Sequence, residues 1–237
     1  SSFVATLILY VIMLLASTWG MLIFLGIRFY RSMYTDEGYL SHTLPVTANQ
    51  LFLSKVLVSG VWYLFLTIGI GISVAALIVS LMTGLLNIGE LSSVLTQYNG
   101  NIWEFLADAF YELGRTYEEE MGINLLHYGI TLLLTYVAGP FITMVTLFGA
   151  LTIGQLSSKH KGFMGILVYA GVTILSSIIG STVQSAFMFG ANVANSASGI
   201  TVSTNSAYDI NVITSLLLAA IMYGVSYYIM NRKLNLD

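Results

Sequence analysis

The residues best placed to bind or react form one short polar stretch, MYTDEGYLSHTLPVTANQ, at positions 33–50. It carries two acids, a histidine, a proline and two helix-start signals between long apolar runs. The chain as a whole offers no nucleophile, metal-ligand set or acid pair arranged for enzyme catalysis. Because it has no cysteine, disulfides, thiolate nucleophiles and cysteine-bound metals are also excluded. The stretch is therefore read as a binding surface, and the chain is not predicted to be an enzyme.

The first half of the stretch predicts a short helix over residues 36–43. Thr35 is a suitable N-cap, and Asp36 and Glu37 fall in the first turn, where the helix dipole favours acids. The helix can run only to about Thr43, because Pro45 disfavours helical geometry in the residue before it.

The second half predicts the start of the next helix. Thr47 and Gln50 fit a capping box, in which the glutamine side chain reaches back to the threonine amide. A two-turn helix and a proline elbow would then leave Tyr34, Tyr39, Leu40 and His42 available to a partner. An ordinary loop at the membrane interface is the alternative interpretation.

The elements around this stretch belong to an integral membrane protein. Of 237 residues, 57% are hydrophobic and only 8% are charged, and the mean hydropathy is +0.84. A soluble domain carries about 25% charged residues, so this chain cannot form a water-compatible surface. Five apolar runs reach the roughly 20 residues that cross a bilayer as helix. They cover about residues 3–27, 56–86, 125–156, 163–189 and 212–230.

Lysine and arginine set the predicted orientation. If the spans alternate, seven of the eight basic residues fall on one side and only Arg115 on the other. The positive-inside rule then places residues 28–55, the 157–162 turn and the C-terminus in the cytoplasm. Because the chain opens on Ser1 directly before an apolar run, we expect an upstream segment with a further span.

The energy for any transport must come from another polypeptide. No Asp, Glu, Lys or Arg lies within the five predicted spans, which argues against a proton-driven or sodium-driven carrier. The chain also lacks the G-x-x-x-x-G-K-[ST] loop that binds ATP phosphates. No basic patch with interleaved aromatic residues indicates nucleic-acid binding.

The outer loop, residues 87–124, contains an amphipathic helix candidate. Its apolar residues recur at helical spacing from Ile102 to Leu113, with an acidic stripe opposite. In the spans, small residues recur four apart, as in Ser176 with Gly180, which allows close helix packing in lipid. Such pairs favour either packing within one subunit or a dimer interface along a pathway. His127 is read as an interfacial histidine, with a functional role as the alternative.

The sequence RFYRSMYTDEGYLSHTLPVTANQLFLSKVL resembles the cytoplasmic loop of type-2 ABC exporter permeases. In that family an acidic-aromatic helix, a T-L-P turn and a polar-capped helix with a lysine connect the second and third membrane helices. The tail YYIMNRKLNLD is similar to tails of small Gram-positive permeases. The resemblance implies an all-α polytopic fold of six spans, of which the five seen here are the second to the sixth.

The resemblance also implies a single permease domain over residues 1–237 and a set of partners. The helix over residues 36–43 would be the coupling helix that sits in a cleft of a separate ATPase subunit, which holds the ATP and magnesium. Its contact residues would be Asp36, Glu37, Tyr39, Leu40, His42 and Thr43, with an elbow of Pro45, Thr47 and Gln50. A second permease, identical or different, would complete a transporter in the bacterial cell membrane. A membrane scaffold or sensor subunit without transport is the alternative from another functional class.

Overall fold

A computed structural model describes residues 2–35, 47–86, 101–121, 125–157, 160–198 and 205–232 of the chain. Every regular element within these ranges is an α-helix, which confirms the predicted all-α class. The helices are α1 (Ser2–Tyr34), α2 (Ala48–Leu86), α3 (Ile102–Met121), α4 (Leu125–Gly154), α5 (Lys161–Ser198) and α6 (Asn205–Arg232).

Five of the helices are long and apolar enough to cross a membrane, which matches the five predicted spans and describes a multi-pass membrane protein. The helices extend beyond the apolar runs that revealed them. α2 begins at Ala48 rather than 56, α5 continues to Ser198 rather than 189, and α6 begins at Asn205 rather than 212. Polar residues next to an apolar run can continue the same helix, because each turn is stabilised by its own backbone hydrogen bonds.

The predicted amphipathic helix of the outer loop is present as α3. It is longer than the pattern from Ile102 to Leu113 and ends at Met121. Asn101 caps its first turn, since its side-chain oxygen accepts a hydrogen bond from the backbone amide of Trp103 at 3.2 Å. The side chains of Trp103 and Tyr111 are 73% and 76% exposed, so these aromatic residues have little cover from the rest of the chain.

Contacts divide the chain into two compact units. One comprises Ser1–Thr67, Thr135–Thr182 and Asn211–Asp237, and the other Ile68–Leu134 and Val183–Ile210. The first unit contains the main core, which is built from large apolar side chains of α1, α2 and α4. Its buried members are Leu22, Leu25, Phe29, Met33, Phe52, Val56, Tyr63, Met144, Leu147, Phe148 and Leu151. The remaining faces of these helices expose apolar side chains, as expected of surfaces in lipid.

Glycine allows two close helix contacts in the first unit. A Cβ on Gly154 would lie 2.5 Å from the backbone nitrogen of Gly165, so only glycine permits the approach of α4 to α5. A Cβ on Gly60 would lie 2.4 Å from the ring of Phe141, where α2 meets α4. These contacts are backbone-close packing of the kind that small residues provide in membranes.

Candidate functional site

Most of the predicted coupling residues lie outside the described part of the chain. These are Asp36, Glu37, Tyr39, Leu40, His42, Thr43 and Pro45. The short helix over residues 36–43 therefore stays a prediction. Both of its flanks are described, namely the last turns of α1 and the first turns of α2, and they show how segment 36–46 is attached to the protein.

The start of α2 has both hydrogen bonds of the predicted capping box. The backbone amide of Thr47 donates to Oε1 of Gln50 at 3.1 Å, and the amide of Gln50 donates to Oγ1 of Thr47 at 3.3 Å. The amide of Leu51 then donates to the Thr47 carbonyl at 3.1 Å, the first bond of the helix. An N-cap of this kind contributes about 1 kcal/mol to helix stability. The direction of α2 is thus set immediately after segment 36–46.

The other flank ends with Thr35. Its hydroxyl donates to the Arg31 carbonyl at 2.6 Å, which satisfies one of the free carbonyls at the end of α1. The amides to which a Thr35 N-cap would bond belong to residues outside the described ranges. The described bond of the Thr35 side chain is thus made to α1, and its predicted role in starting the next helix stays a prediction.

Three stacked or edge-on phenyl rings join the flanks to the core. The ring of Phe29 in α1 stacks on Phe148 of α4, with centroids 4.0 Å apart and planes 5° apart. The ring of Phe52 in α2 meets Phe29 edge-on at 6.0 Å. All three side chains are at most 2% exposed. The edge-to-face contact is a favourable ring arrangement, and the two contacts together join α1, α2 and α4.

Two tyrosine hydroxyls add polar links between the same helices. The hydroxyls of Tyr34 and Thr152 lie 2.8 Å apart. Because the Thr152 hydroxyl already donates to the Phe148 carbonyl, Tyr34 is the donor in this bond. The hydroxyl of Tyr223 in α6 donates to the side-chain oxygen of Asn49, next to the capping box.

We call Phe29, Phe52, Phe148, Tyr34 and Tyr223 the aromatic cluster. Through it the end of α1 and the start of α2 are bound to α4 and α6 on either side of segment 36–46. The sequence interpretation did not find this cluster, and its prediction that Tyr34 is available to a partner was wrong, because Tyr34 packs against the core and bonds to Thr152. α2, α4 and α6 contribute one member each, and these helices are apolar on every face, so the sequence does not show which face is the packed one.

A second feature of the same unit is a cavity of about 280 Å³ between α4, α5 and α6. It contains the predicted small-residue pair of Ser176 and Gly180. Tyr169 contributes a phenol hydroxyl, and the aliphatic hydroxyls come from Thr143, Thr146, Thr173, Ser176, Ser177, Thr214 and Ser215. Each of these aliphatic hydroxyls donates to a main-chain carbonyl of its own helix. The lining thus presents oxygen acceptors, together with Asn211 and apolar side chains, and carries no charge.

The other unit contains an acid that the sequence interpretation had assigned to a loop. Asp209 lies in the second turn of α6, and its Oδ2 is 2.9 Å from Nε2 of His127 in α4. Thr131 donates to Oδ1 of the same acid at 3.1 Å. The sequence indicated only a histidine at the membrane interface. The structure adds a carboxylate partner for the His127 ring. The sequence offered little indication of a role for Asp209, because this residue lies before the apolar run over residues 212–230.

No three His, Asp or Glu residues lie together as a potential metal site in the described ranges. Comparisons with protein-family models, with curated proteins and with solved structures find no match for this chain. What the chain does is therefore argued from the geometry at the two flanks of segment 36–46 and from the membrane-spanning helices.

Proposed function

We propose that this chain is the permease subunit of an ATP-driven type-2 ABC exporter, in which segment 36–46 couples the membrane helices to a separate ATPase subunit. The observation that carries the proposal is the attachment of both flanks of this segment to one packed core. The Phe29–Phe148 stack and the Thr47–Gln50 capping box lie on opposite sides of it. A coupling element needs such attachment, because the displacement of a loosely tethered loop would not move the helices on either side of it.

In this mechanism the ATPase subunits hold the ATP and magnesium and supply the energy. Their closure displaces the helix over residues 36–43, whose anchors are Tyr39 and Leu40. Since α1 and α2 are joined through Phe29 and Phe52, the displacement moves both helix ends together. The aromatic cluster transmits it to α4 and α6, and the pathway opens on the opposite side of the bacterial cell membrane.

The hydroxyl-lined cavity between α4, α5 and α6 supports a transport role. Membrane-spanning helices that serve only as scaffold have no need of an indentation lined by eight hydroxyl-bearing residues. Its uncharged lining suits a ligand that crosses without ion coupling, in keeping with the absence of charged residues from the predicted spans. A second permease, identical or different, is expected to complete the pathway.

Co-purification of an ATPase with the full-length protein tests the proposal. Helix-in-cleft contacts depend on a few buried anchors, so the double substitution Tyr39→Ala, Leu40→Ala should abolish ATPase capture or uncouple ATP hydrolysis from transport. Gly38→Pro should do the same by breaking the short helix. Membrane insertion should stay normal in both variants.

The matched control is the double substitution Trp103→Ala, Tyr111→Ala on α3. It removes two exposed aromatic residues from the predicted outer side and should leave ATPase capture unchanged. If the Tyr39, Leu40 variant keeps both the ATPase and full transport, segment 36–46 is only a connector. If the unsubstituted protein never captures an ATPase, a scaffold or sensor role replaces the transport proposal.

A further inference from the structure

A second cavity, of about 180 Å³, lies between α1 and α2. Its lining contains two cations, three serines and two apolar side chains: Arg28, Lys55, Ser32, Ser54, Ser59, Phe29 and Val58. The two cations come from different helices and face the same space. The buried ring of Phe29 belongs to the aromatic cluster, so the site is built on the rigid core.

Neither cation has an ion-pair partner among the described residues. Lys55 is half-buried and Arg28 is exposed. Two like charges on one cavity repel each other, so the site favours an anion between them. A partly desolvated lysine gains more from such an anion than one in open water.

The serine hydroxyls differ in what they can donate. Ser32 donates to the Phe29 carbonyl at 3.1 Å, and Ser54 donates to the Leu51 carbonyl at 2.8 Å. Ser59 makes no hydrogen bond to the described part of the chain, so its proton is available to a ligand. An anion in the cavity would thus meet a guanidinium, an ammonium and a hydroxyl donor, a donor set suited to phosphate oxygens.

The cavity lies near one end of each of two helices that are long enough to span a membrane. Arg28 lies six residues before the end of α1 at Tyr34, and Lys55 lies seven residues after the start of α2 at Ala48. At about 1.5 Å per residue, both charges sit roughly 10 Å inside the helix ends, and both helices are long enough to span the membrane. Basic pockets between membrane helices on the cytoplasmic side bind the headgroups of anionic lipids, and the predicted orientation assigns residues 28–55 to that side.

We propose that the cavity formed by Arg28, Lys55 and Ser59 between α1 and α2 binds the phosphate group of an anionic phospholipid. The volume equals about six water molecules at roughly 30 Å³ each, which is enough for a phosphate group and its first substituent atoms. The acyl chains would lie along the exposed apolar side chains of the same helices, Ile27 and Leu57. The proposal does not rest on transport and would hold for a scaffold as well.

Native mass spectrometry of the full-length protein in an uncharged detergent provides the test. Phosphatidylglycerol and phosphatidylcholine of identical acyl chains are titrated separately, and inorganic phosphate is added as a competitor. We expect clear preference for phosphatidylglycerol, with no competition by inorganic phosphate. Equal binding of the two lipids would overturn the proposal. Displacement by inorganic phosphate would assign the cavity to the free ion instead of a lipid.

Substitutions locate the preference in the cavity. Each basic residue near a membrane surface contributes roughly fivefold to anionic lipid binding, so Arg28→Gln, Lys55→Gln should weaken phosphatidylglycerol binding roughly 25-fold. The control Arg31→Gln, Lys161→Gln removes the same charge from side chains that do not line the cavity. It should change binding by less than about threefold. Equal losses in the two variants would show diffuse attraction and refute a specific site.

Two further variants distinguish a loss of lipid binding from a folding defect. Arg28→Lys, Lys55→Arg keeps both charges and should retain most of the preference, provided that the melting temperature is unchanged. Ser59→Leu keeps both charges but fills the cavity, and it should abolish the preference. Full preference in the Ser59→Leu protein would show that the lipid does not enter the cavity.

Discussion

The ring of Phe29 lies parallel to the ring of Phe148, 4.0 Å away between centroids, and so fixes the end of α1 against α4. Phe148 is fully buried and Phe29 is 2% exposed. The stack joins α4 to the last turns of α1, which lead into segment 36–46.

Phe148→Ala should destabilise the protein by about 3 kcal/mol, near the lower end of values for buried Phe in soluble proteins. The residues around the empty space lose their packing contacts with the ring. Exposing an apolar side chain to lipid has little cost, so the expected loss comes mainly from packing. Thermal unfolding in detergent measures the loss. Phe65→Ala, which removes a ring that is 65% exposed, is the control and should stay within about 0.5 kcal/mol. Equal losses would contradict a packing role for the stack.

The bond between Tyr34 and Thr152 should appear as a coupling energy in a double-mutant cycle. Tyr34→Phe and Thr152→Val each remove one partner, and we expect a coupling of about 0.5–1.5 kcal/mol, as for other interhelical bonds in membranes. The control cycle pairs Tyr34→Phe with Thr146→Val. Thr146 is also a buried threonine of α4, but its hydroxyl bonds only within α4, so its coupling to Tyr34 should be near zero. A zero value in the first cycle would disprove the link.

The capping box predicts an order of stability among variants of Thr47. Thr47→Ser keeps the side-chain oxygen and should have little effect. Thr47→Ala leaves the Gln50 amide without its partner and should cost about 1 kcal/mol. The rate of backbone-amide hydrogen exchange in the first turn of α2 should rise only in the alanine variant. The prediction is wrong if serine and alanine behave alike.

The close approach of α4 and α5 predicts that Gly154→Ala is severely destabilising. The new Cβ would meet the backbone of Gly165, which cannot move aside as a flexible side chain would. Gly171→Ala in α5 is the matched control, because a Cβ there meets no atom within 4 Å. Alanine also favours helix over glycine, so this control should be neutral or stabilising by up to about 1 kcal/mol. Expression level and melting temperature distinguish the two, and similar values would contradict the close contact.

The topology can be tested by cysteine labelling, because the chain has no cysteine of its own. Gly100→Cys should react with a membrane-impermeant thiol reagent added to intact cells, since the positive-inside rule predicts that residues 87–124 face outward. His160→Cys lies in the predicted cytoplasmic turn and should react only after the cells are opened. The reverse pattern would refute the orientation and, with it, the placement of segment 36–46 beside an ATPase.

The sequence by itself determined the class and the number of spans. In lipid, the backbone N–H and C=O groups of a long apolar run must form their hydrogen bonds within the protein, and a helix does this by itself. Five helices could therefore be predicted from composition and length. It also determined the Thr47–Gln50 capping box, because such a box depends only on residues three apart in the chain. The amphipathic α3 was predictable for the same local reason, although its end was not.

Only the tertiary structure decided which faces of the spans meet. In a helix that is apolar all round, periodicity does not distinguish the face toward lipid from the face toward protein. The Phe29–Phe148 stack, the His127–Asp209 pair and the cavity between Arg28 and Lys55 each join residues far apart in the chain. Each depends on how two helices pack against each other, which local sequence patterns do not specify.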